Sequence, residues 1–325
     1  MPSFLKIFFA FCVIFFCVAC HTEFDPDKTA VFTQKSSLPI GRASASSFVY
    51  EQEAFVLCGR DSDGRLLHDF WQYNANFNEW RALPDLPFKA RVKAVAEVVD
   101  GYAYVGLGFN GKVYVDTAYL RDWWRYDIST ASWMRCADFP SINSDVCVSF
   151  VNETDIYVMF GFYNGFTGDV YKYATTTDTW SHCTTANAYE RAGAVGCTNG
   201  ERFFAGTGYN TTNMNDWWEF YPETEQWIRR ADLIGRGRVF ASAVAVEQRM
   251  FVIGGRYFGG SLTTGLLYND LLEYDVVLDA WSLKGYLPGG GRENMITFSI
   301  NGQGYFGLGE DSNGFILNDL YCWSD

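Results

Sequence analysis

The sequence predicts an all-β protein made of six four-stranded units, and three observations carry that prediction. A set of residue types recurs in register about every 50 positions. Nothing in the chain sustains a helical period over twelve residues, and short runs rich in Val, Tyr and Trp alternate with turn residues.

The recurring frame starts at Asp69, Asp122, Asp169, Asp216, Asp270 and Asp319. Four residues on stands Tyr73, Tyr126, Tyr173, Phe220, Tyr274 or Trp323, and eleven on, in the five full cycles, Trp80, Trp133, Trp180, Trp227 or Trp281. Eleven further come Arg91, Ser144, Arg191, Arg238 and Arg292, and seventeen beyond those Gly108, Gly161, Gly208, Gly255 and Gly309. From Asp to Gly is therefore 39 residues every time, while the stretch from Gly to the next Asp varies between 8 and 15, so length tolerance is confined to one loop per unit.

Within one unit the strands are expected at Val92 to Val99, Tyr102 to Gly106, Asp122 to Tyr126 and Ser132 to Arg135, with Asp100-Gly101 as a hairpin turn. Four strands in about 50 residues fit a propeller blade. The sixth unit runs out at Asp325, before its outer strand. Eleven residues before Arg42 lies Val31, beside Phe32, in the apolar run Thr29 to Gln34. That run is expected to close a six-bladed β-propeller over residues 29–325 by completing the last blade, which removes exposed sheet edges.

The order Gly, Asp, Tyr, Trp at these spacings resembles the kelch repeat over residues 41–325. The double Gly of that repeat is complete only at Gly254-Gly255; elsewhere its first member is replaced, as in Cys58-Gly59 and Leu107-Gly108. The resemblance implies strands a to d running outward from the axis, with the repeated Trp and Tyr as blade packing.

Composition agrees with a large core: of 325 residues 48% are hydrophobic and 18% aromatic. A formal charge of -13 excludes broad attraction to nucleic acid. His21, His68 and His182 are scattered, which argues against a His-rich metal centre, and neither a metal nor a cofactor is expected. Cys58, Cys136, Cys147, Cys183, Cys197 and Cys322 show no Cys-x-x-Cys spacing and read as buried thiols.

At the N-terminus, Lys6 precedes an apolar run from Ile7 to Ala19, too short to span a bilayer, that ends in Cys17-Val18-Ala19-Cys20. Residues 1–19 resemble a lipoprotein signal, which implies lipidation at Cys20; an ordinary secretory peptide is the alternative. Residues 20–28 form an acidic tether with Glu23, Asp25 and Asp27, similar to the surface-export tag of Bacteroidota lipoproteins, which implies a lipid-anchored outer-membrane location in a bacterial envelope.

Antiparallel pairing places the start of strand a beside the end of strand b, so one mouth of the propeller should gather both. Arg42, Arg91, Arg191, Arg238 and Arg292 stand there, with Ser144 in the third unit. After each repeated Gly come Arg60 and Asp61, Phe109 and Asn110, Phe162 and Tyr163, Tyr209 and Asn210, Arg256 and Tyr257, and Glu310 and Asp311. Guanidinium groups suit carboxylate or sulfate, aromatic faces suit sugar rings and Asn suits hydroxyls. The expected ligand is a glycan, another anionic sugar or an acidic protein segment. The competing reading pairs each Arg with the repeated Asp, two strands and about 9.5 Å away on the same edge.

Other motifs carry less. Asp61-Ser62-Asp63-Gly64 and Asp311-Ser312-Asn313-Gly314 lack the distal Glu of a calcium loop and read as turns, and no helix follows Gly106-Leu107-Gly108 to make it a phosphate loop. Galactose oxidase has kelch-like blades, but its copper needs paired His, which this frame does not bring together. Similarity to the kelch-fold N-acetylneuraminate epimerases implies an enzyme alternative, a sugar epimerase or mutarotase using carboxylates, for which Glu190, Glu293 and Glu310 are placed. Recognition of an acidic segment, as in Kelch substrate adaptors, needs no catalytic group.

Overall fold

A computed structural model describes residues 29–111, 118–141, 146–185, 190–261 and 264–324. The expected leader 1–19, the expected tether 20–28 with Cys20, and Ser144 lie outside them. Six four-stranded antiparallel sheets form a ring in which the innermost strands pack in the order of the blades, the sixth against the first.

Blade one is Ser46–Tyr50, Glu53–Leu57, Phe70–Asn74 and Glu79–Leu83. Blade two is Val95–Val99, Tyr102–Gly106, Trp123–Asp127 and Ser132–Cys136; blade three is Val148–Asn152, Asp155–Met159, Asp169–Ala174 and Thr179–Thr185. Blade four is Val195–Thr198, Phe203–Gly206, Trp217–Tyr221 and Gln226–Arg230; blade five is Ser242–Val246, Arg249–Ile253, Asp270–Asp275 and Ala280–Tyr286. Blade six takes Ile296–Ile300, Gln303–Gly307 and Leu320–Ser324 from the C-terminus, and its outer strand is Val31–Lys35.

Two features differ from expectation for identifiable reasons, and one turn agrees with it. Strand a of blade two starts at Val95, not Val92, because Lys93 adopts φ 56° and breaks the extended run, leaving Val92 in an isolated bridge to Phe109. The repeated Arg consequently precedes strand a rather than opening it. In blade six, Phe32 and not Val31 faces Trp323, the register in which Trp80 faces Tyr73; Val31 is 64% exposed. The Asp100-Gly101 turn has positive φ at both residues, 50° and 78°, the geometry of a tight hairpin that follows the strand twist.

The core is six layers, one between each pair of neighbouring blades. Each repeated aromatic lies next to its Trp, with ring centroids 4.9 Å apart for Tyr73 and Trp80 and 4.8 Å for Tyr126 and Trp133. In blades one, three and five the Trp also ties its blade to the preceding one: Trp80, Trp180 and Trp281 donate to the carbonyls of Ser36, Ala137 and Ala231. Asn78, Asp178 and Asp279 accept from the backbone N–H of those same three residues. The six cysteines from Cys58 onward are free thiols, and burial pushes Cys58 and Cys197 up to about 12, which keeps both unreactive.

Candidate functional site

The repeated glycines explain why one mouth is so ordered. Gly59, Gly108, Gly161, Gly208, Gly255 and Gly309 all have φ between 86° and 128°, and the residue before each has φ between 56° and 61°. Two consecutive left-handed residues suit a double glycine; here Cys58, Leu107, Phe160, Thr207 and Leu308 hold the first position at a steric cost. The turn aims a carbonyl at the repeated Arg: Arg42, Arg91, Arg191 and Arg238 donate from Nη1 to Cys58, Leu107, Thr207 and Gly254 at 2.8–3.1 Å. The glycine N–H in turn crosses to the next blade, as from Gly208 to the carbonyl of Arg238 at 2.7 Å.

The five repeated arginines are therefore not the ligand ring that their register suggested. Each is at most 1% exposed. Arg42, Arg91, Arg191, Arg238 and Arg292 form two-pronged pairs with Asp69, Asp122, Asp216, Asp270 and Asp319, with every N–O distance between 2.6 and 3.0 Å. Burial alone would raise the carboxyls of Asp69, Asp122 and Asp216, but the Arg bonds and charge, with an indole N–H from Trp71, Trp124 or Trp218, hold them below the usual range. These pairs fasten strand c to the segment before strand a. In blade three Asp169 instead accepts from Thr167 and Thr185 and lies 3.2 Å from His182 Nε2.

What faces the axis is the residue two places after each repeated Arg position: Ser44, Lys93, Val146, Gly193, Phe240 and Asn294. All six have φ between 52° and 66°, and they line one pocket of about 190 Å³. Backbone bonds of 2.9–3.1 Å run round this ring, from Lys93 to Ser44, Ser44 to Asn294, Asn294 to Phe240 and Phe240 to Gly193. The Lys93 ammonium sits 4.4 Å above the Phe240 ring. Left-handed backbone at a bulky residue marks a position that the surroundings enforce. The register held this signal, two residues past a landmark already found.

A second ring surrounds the first, because Arg60, Phe109, Tyr209, Arg256 and Glu310 bridge to the residues flanking the inner ring. Arg256 is buried and grips Glu293 with two bonds of 2.8 and 2.9 Å, while Arg60 pairs with Glu310, each across a blade boundary. Burial raises the Glu293 carboxyl, Arg256 and Lys93 counteract that, and the charge of Glu310 adds to it. Glu190 is exposed, and its carbonyl accepts from Asn210 Nδ2 at 2.7 Å. Tyr163 meets Tyr119, Tyr209 meets Phe258, and Tyr257 lies under Arg236; Phe109 and Asn110 are half-buried beside them. Tyr119, Phe166 and Phe258 extend this wall and escaped the sequence reading because they sit in loops of variable length. Asp61 and Asp311 cap their own turns by accepting N–H groups two and four residues on. Among the described residues no three His, Cys, Asp or Glu side chains converge as a metal site.

Below the mouth the axial channel continues as a cavity of about 260 Å³ lined by Ser46, Ser47, Glu97, Ser149, Ser242 and Thr297, among others. Glu97 accepts from Ser149 Oγ at 2.6 Å, and burial pushes its carboxyl up to about 7, above the usual 4.5. The folded state thus holds the proton that the unfolded chain releases, so the contribution of Glu97 to stability is greatest in acid and is lost as pH rises between those two values. Glu97→Gln should stabilise the protein by roughly 3 kcal/mol at pH 8 and by almost nothing at pH 4. Urea unfolding at both pH values checks this; equal gains at both would mean that the proton is not involved.

Residues 19–198 match the family model described as the KLHDC2/KLHL20/DRC7 Kelch-repeats domain. The chain is 24% identical over 226 residues to the N-acetylneuraminate epimerase of Haemophilus influenzae (strain PittEE), covering 68% of this chain and 53% of that protein. It is 24% identical over 207 residues to the N-acetylneuraminate epimerase of Yersinia enterocolitica, covering 63% and 48%. The chain thus spans about half the length of the curated relatives it matches. The solved structure described as YjhT superposes with a TM-score of 0.75 at 18% identity, over 88% of this chain and 95% of that one, a likeness of fold.

Proposed function

We propose that this chain, which belongs to the KLHDC2/KLHL20/DRC7 Kelch-repeats domain family, recognises an anionic sugar at the axial mouth of its propeller. The observation that carries the proposal is the inner ring. A lysine is presented into a small concave pocket with a hydroxyl from Ser44, an amide from Asn294 and an aromatic face from Phe240, on a protein of charge -13. Local cationic character against that background selects for one well-placed acid group, and neighbouring amide and hydroxyl groups suit sugar hydroxyls. N-acetylneuraminate is the first ligand to test, since both relatives named above act on it by their names. The leader and Cys20 extend the proposal to a lipid-anchored protein of a bacterial envelope, with the mouth open to soluble or surface-borne glycans.

Titrating N-acetylneuraminate into the protein and following ligand lines by NMR should show saturable binding, weakened about tenfold or more in Lys93→Ala, equivalent to about 1.4 kcal/mol. Unchanged affinity in that variant would remove the pocket from the proposal.

A second reading, catalysis of anomer interconversion, is favoured by the raised Glu293 carboxyl beside Glu310. If a bound sugar draws Arg256 away, a carboxyl raised by burial can give a proton to the ring oxygen while a carboxylate takes one from the anomeric hydroxyl; the ring C–O bond breaks and re-forms on the other face. Faster exchange between the two anomers, lost in Glu293→Gln, is the signature that distinguishes it from binding alone.

A further inference from the structure

The second ring divides the mouth into two arcs of different chemistry. By blade, the residue after each repeated glycine is Arg60, Phe109, Phe162, Tyr209, Arg256 and Glu310. Blades five, six and one present charge, and blades two, three and four present rings. The charged arc is organised by the Arg60–Glu310 and Arg256–Glu293 pairs. The aromatic arc is continuous across blade boundaries: Tyr119 meets Tyr163 at 5.1 Å, Phe166 meets Tyr209 at 5.9 Å and Tyr209 meets Phe258 at 4.9 Å. These contacts are edge-to-face, with interplanar angles of 89°, 62° and 69°, and each ring stays partly exposed rather than sealed in a core.

Size adds a second constraint. The axial pocket of about 190 Å³ is smaller than the roughly 300–1,000 Å³ usual for a small-molecule site. A ligand whose acid group reaches Lys93 must therefore rest much of its body on the second ring. The charged arc is already neutralised pairwise, so the wide uncharged surface left for that body is the aromatic arc, with Asn210 at its edge.

Resting on the sugar-binding reading, we infer that the mouth takes an anionic sugar joined by a glycosidic bond to a neutral pyranose, the acid group at Lys93 and the neutral ring stacked over Phe109, Phe162 and Tyr209. A single negative charge suits this site better than an acidic peptide, because each further carboxylate would approach a protein of charge -13 with a compact cationic spot to receive it. Such a ligand has its anomeric hydroxyl blocked, so the same mouth binds it without turning it over.

Calorimetry on the full chain with 3′-sialyllactose, free N-acetylneuraminate, lactose and a tyrosine-containing acidic peptide tests the inference. Sialyllactose should bind about tenfold more tightly than the free acid, and lactose and the peptide should bind far more weakly. Tyr209→Leu, which keeps apolar bulk beside Phe166 and Phe258, should weaken sialyllactose about tenfold and the free acid by a much smaller factor, so that the advantage of the extended sugar is lost. Phe109→Leu should do the same in part, and thermal melts of both variants establish that they fold. Equal affinity for the free and extended sugars, or no change in Tyr209→Leu, would overturn the inference while leaving monosaccharide recognition standing. Binding of the peptide alone, or of nothing, would overturn both.

Discussion

Arg191→Ala is expected to destabilise the protein by about 3–5 kcal/mol in urea unfolding at pH 7, the range for removing one partner of a buried ion pair. Arg191 is fully buried, bonds both oxygens of Asp216 at 2.7 Å, donates to the Thr207 carbonyl at 2.8 Å and lies 5.4 Å from the centre of the Phe160 ring. Taking away the guanidinium leaves the burial of Asp216 and removes what compensates it, so a carboxyl held low in the native protein is pushed up instead. The pH dependence should invert accordingly. In the native protein the pair contributes above the unfolded pKa and is lost as pH falls through the lowered folded value; the variant should gain stability relative to the native protein on acidification. Replacing both partners by apolar residues, Arg191→Met with Asp216→Leu, should recover much of the loss, since a buried pair is costlier to break than to replace. A loss below about 1 kcal/mol for Arg191→Ala would mean that the pair is dispensable and would restore the case for a ligand at that position.

Removing residues 29–38 should have an effect at least as large. That segment supplies the outer strand of blade six, paired residue for residue from Val31 opposite Ser324 to Lys35 opposite Leu320. It also reaches three blades. Ala30 donates to the Lys284 carbonyl in blade five, Ser36 accepts the indole N–H of Trp80 in blade one, and Leu38 exchanges bonds with Asn318 of blade six. Leu38 is completely buried, and losing that side chain alone is worth about 2–5 kcal/mol. The deletion also bares Leu320–Ser324 as a sheet edge, so the truncated chain should melt at a much lower temperature and elute as oligomers, which size-exclusion with light scattering resolves. A monomer with an undisturbed melt would show that the ring does not need this strand.

The reach and the limit of sequence reading both follow from the repeat. Blade number, strand order and the packing role of Trp80, Trp133, Trp180, Trp227 and Trp281 were legible because a packing solution used again in each full cycle leaves aligned copies of the residues that make it. Closure by the N-terminal run was legible because an unfinished sixth cycle and an unassigned apolar stretch complement each other. Its register was not, since Val31 and Phe32 are both apolar and only pairing with Trp323 distinguishes them.

The site is where pattern and role part. Arg in the same place of five blades looked like a binding ring, yet regular repetition is what a structural bond requires, and a ligand that is not sixfold symmetric calls for positions that differ between blades. Ser44, Lys93, Val146, Gly193, Phe240 and Asn294 differ in just that way, as do the charged and aromatic arcs around them. From the chain alone came the scaffold, because periodic burial writes itself into residue type; the tertiary structure decided which side chains face the axis, because that depends on left-handed turns and on whether an Asp already holds the arginine.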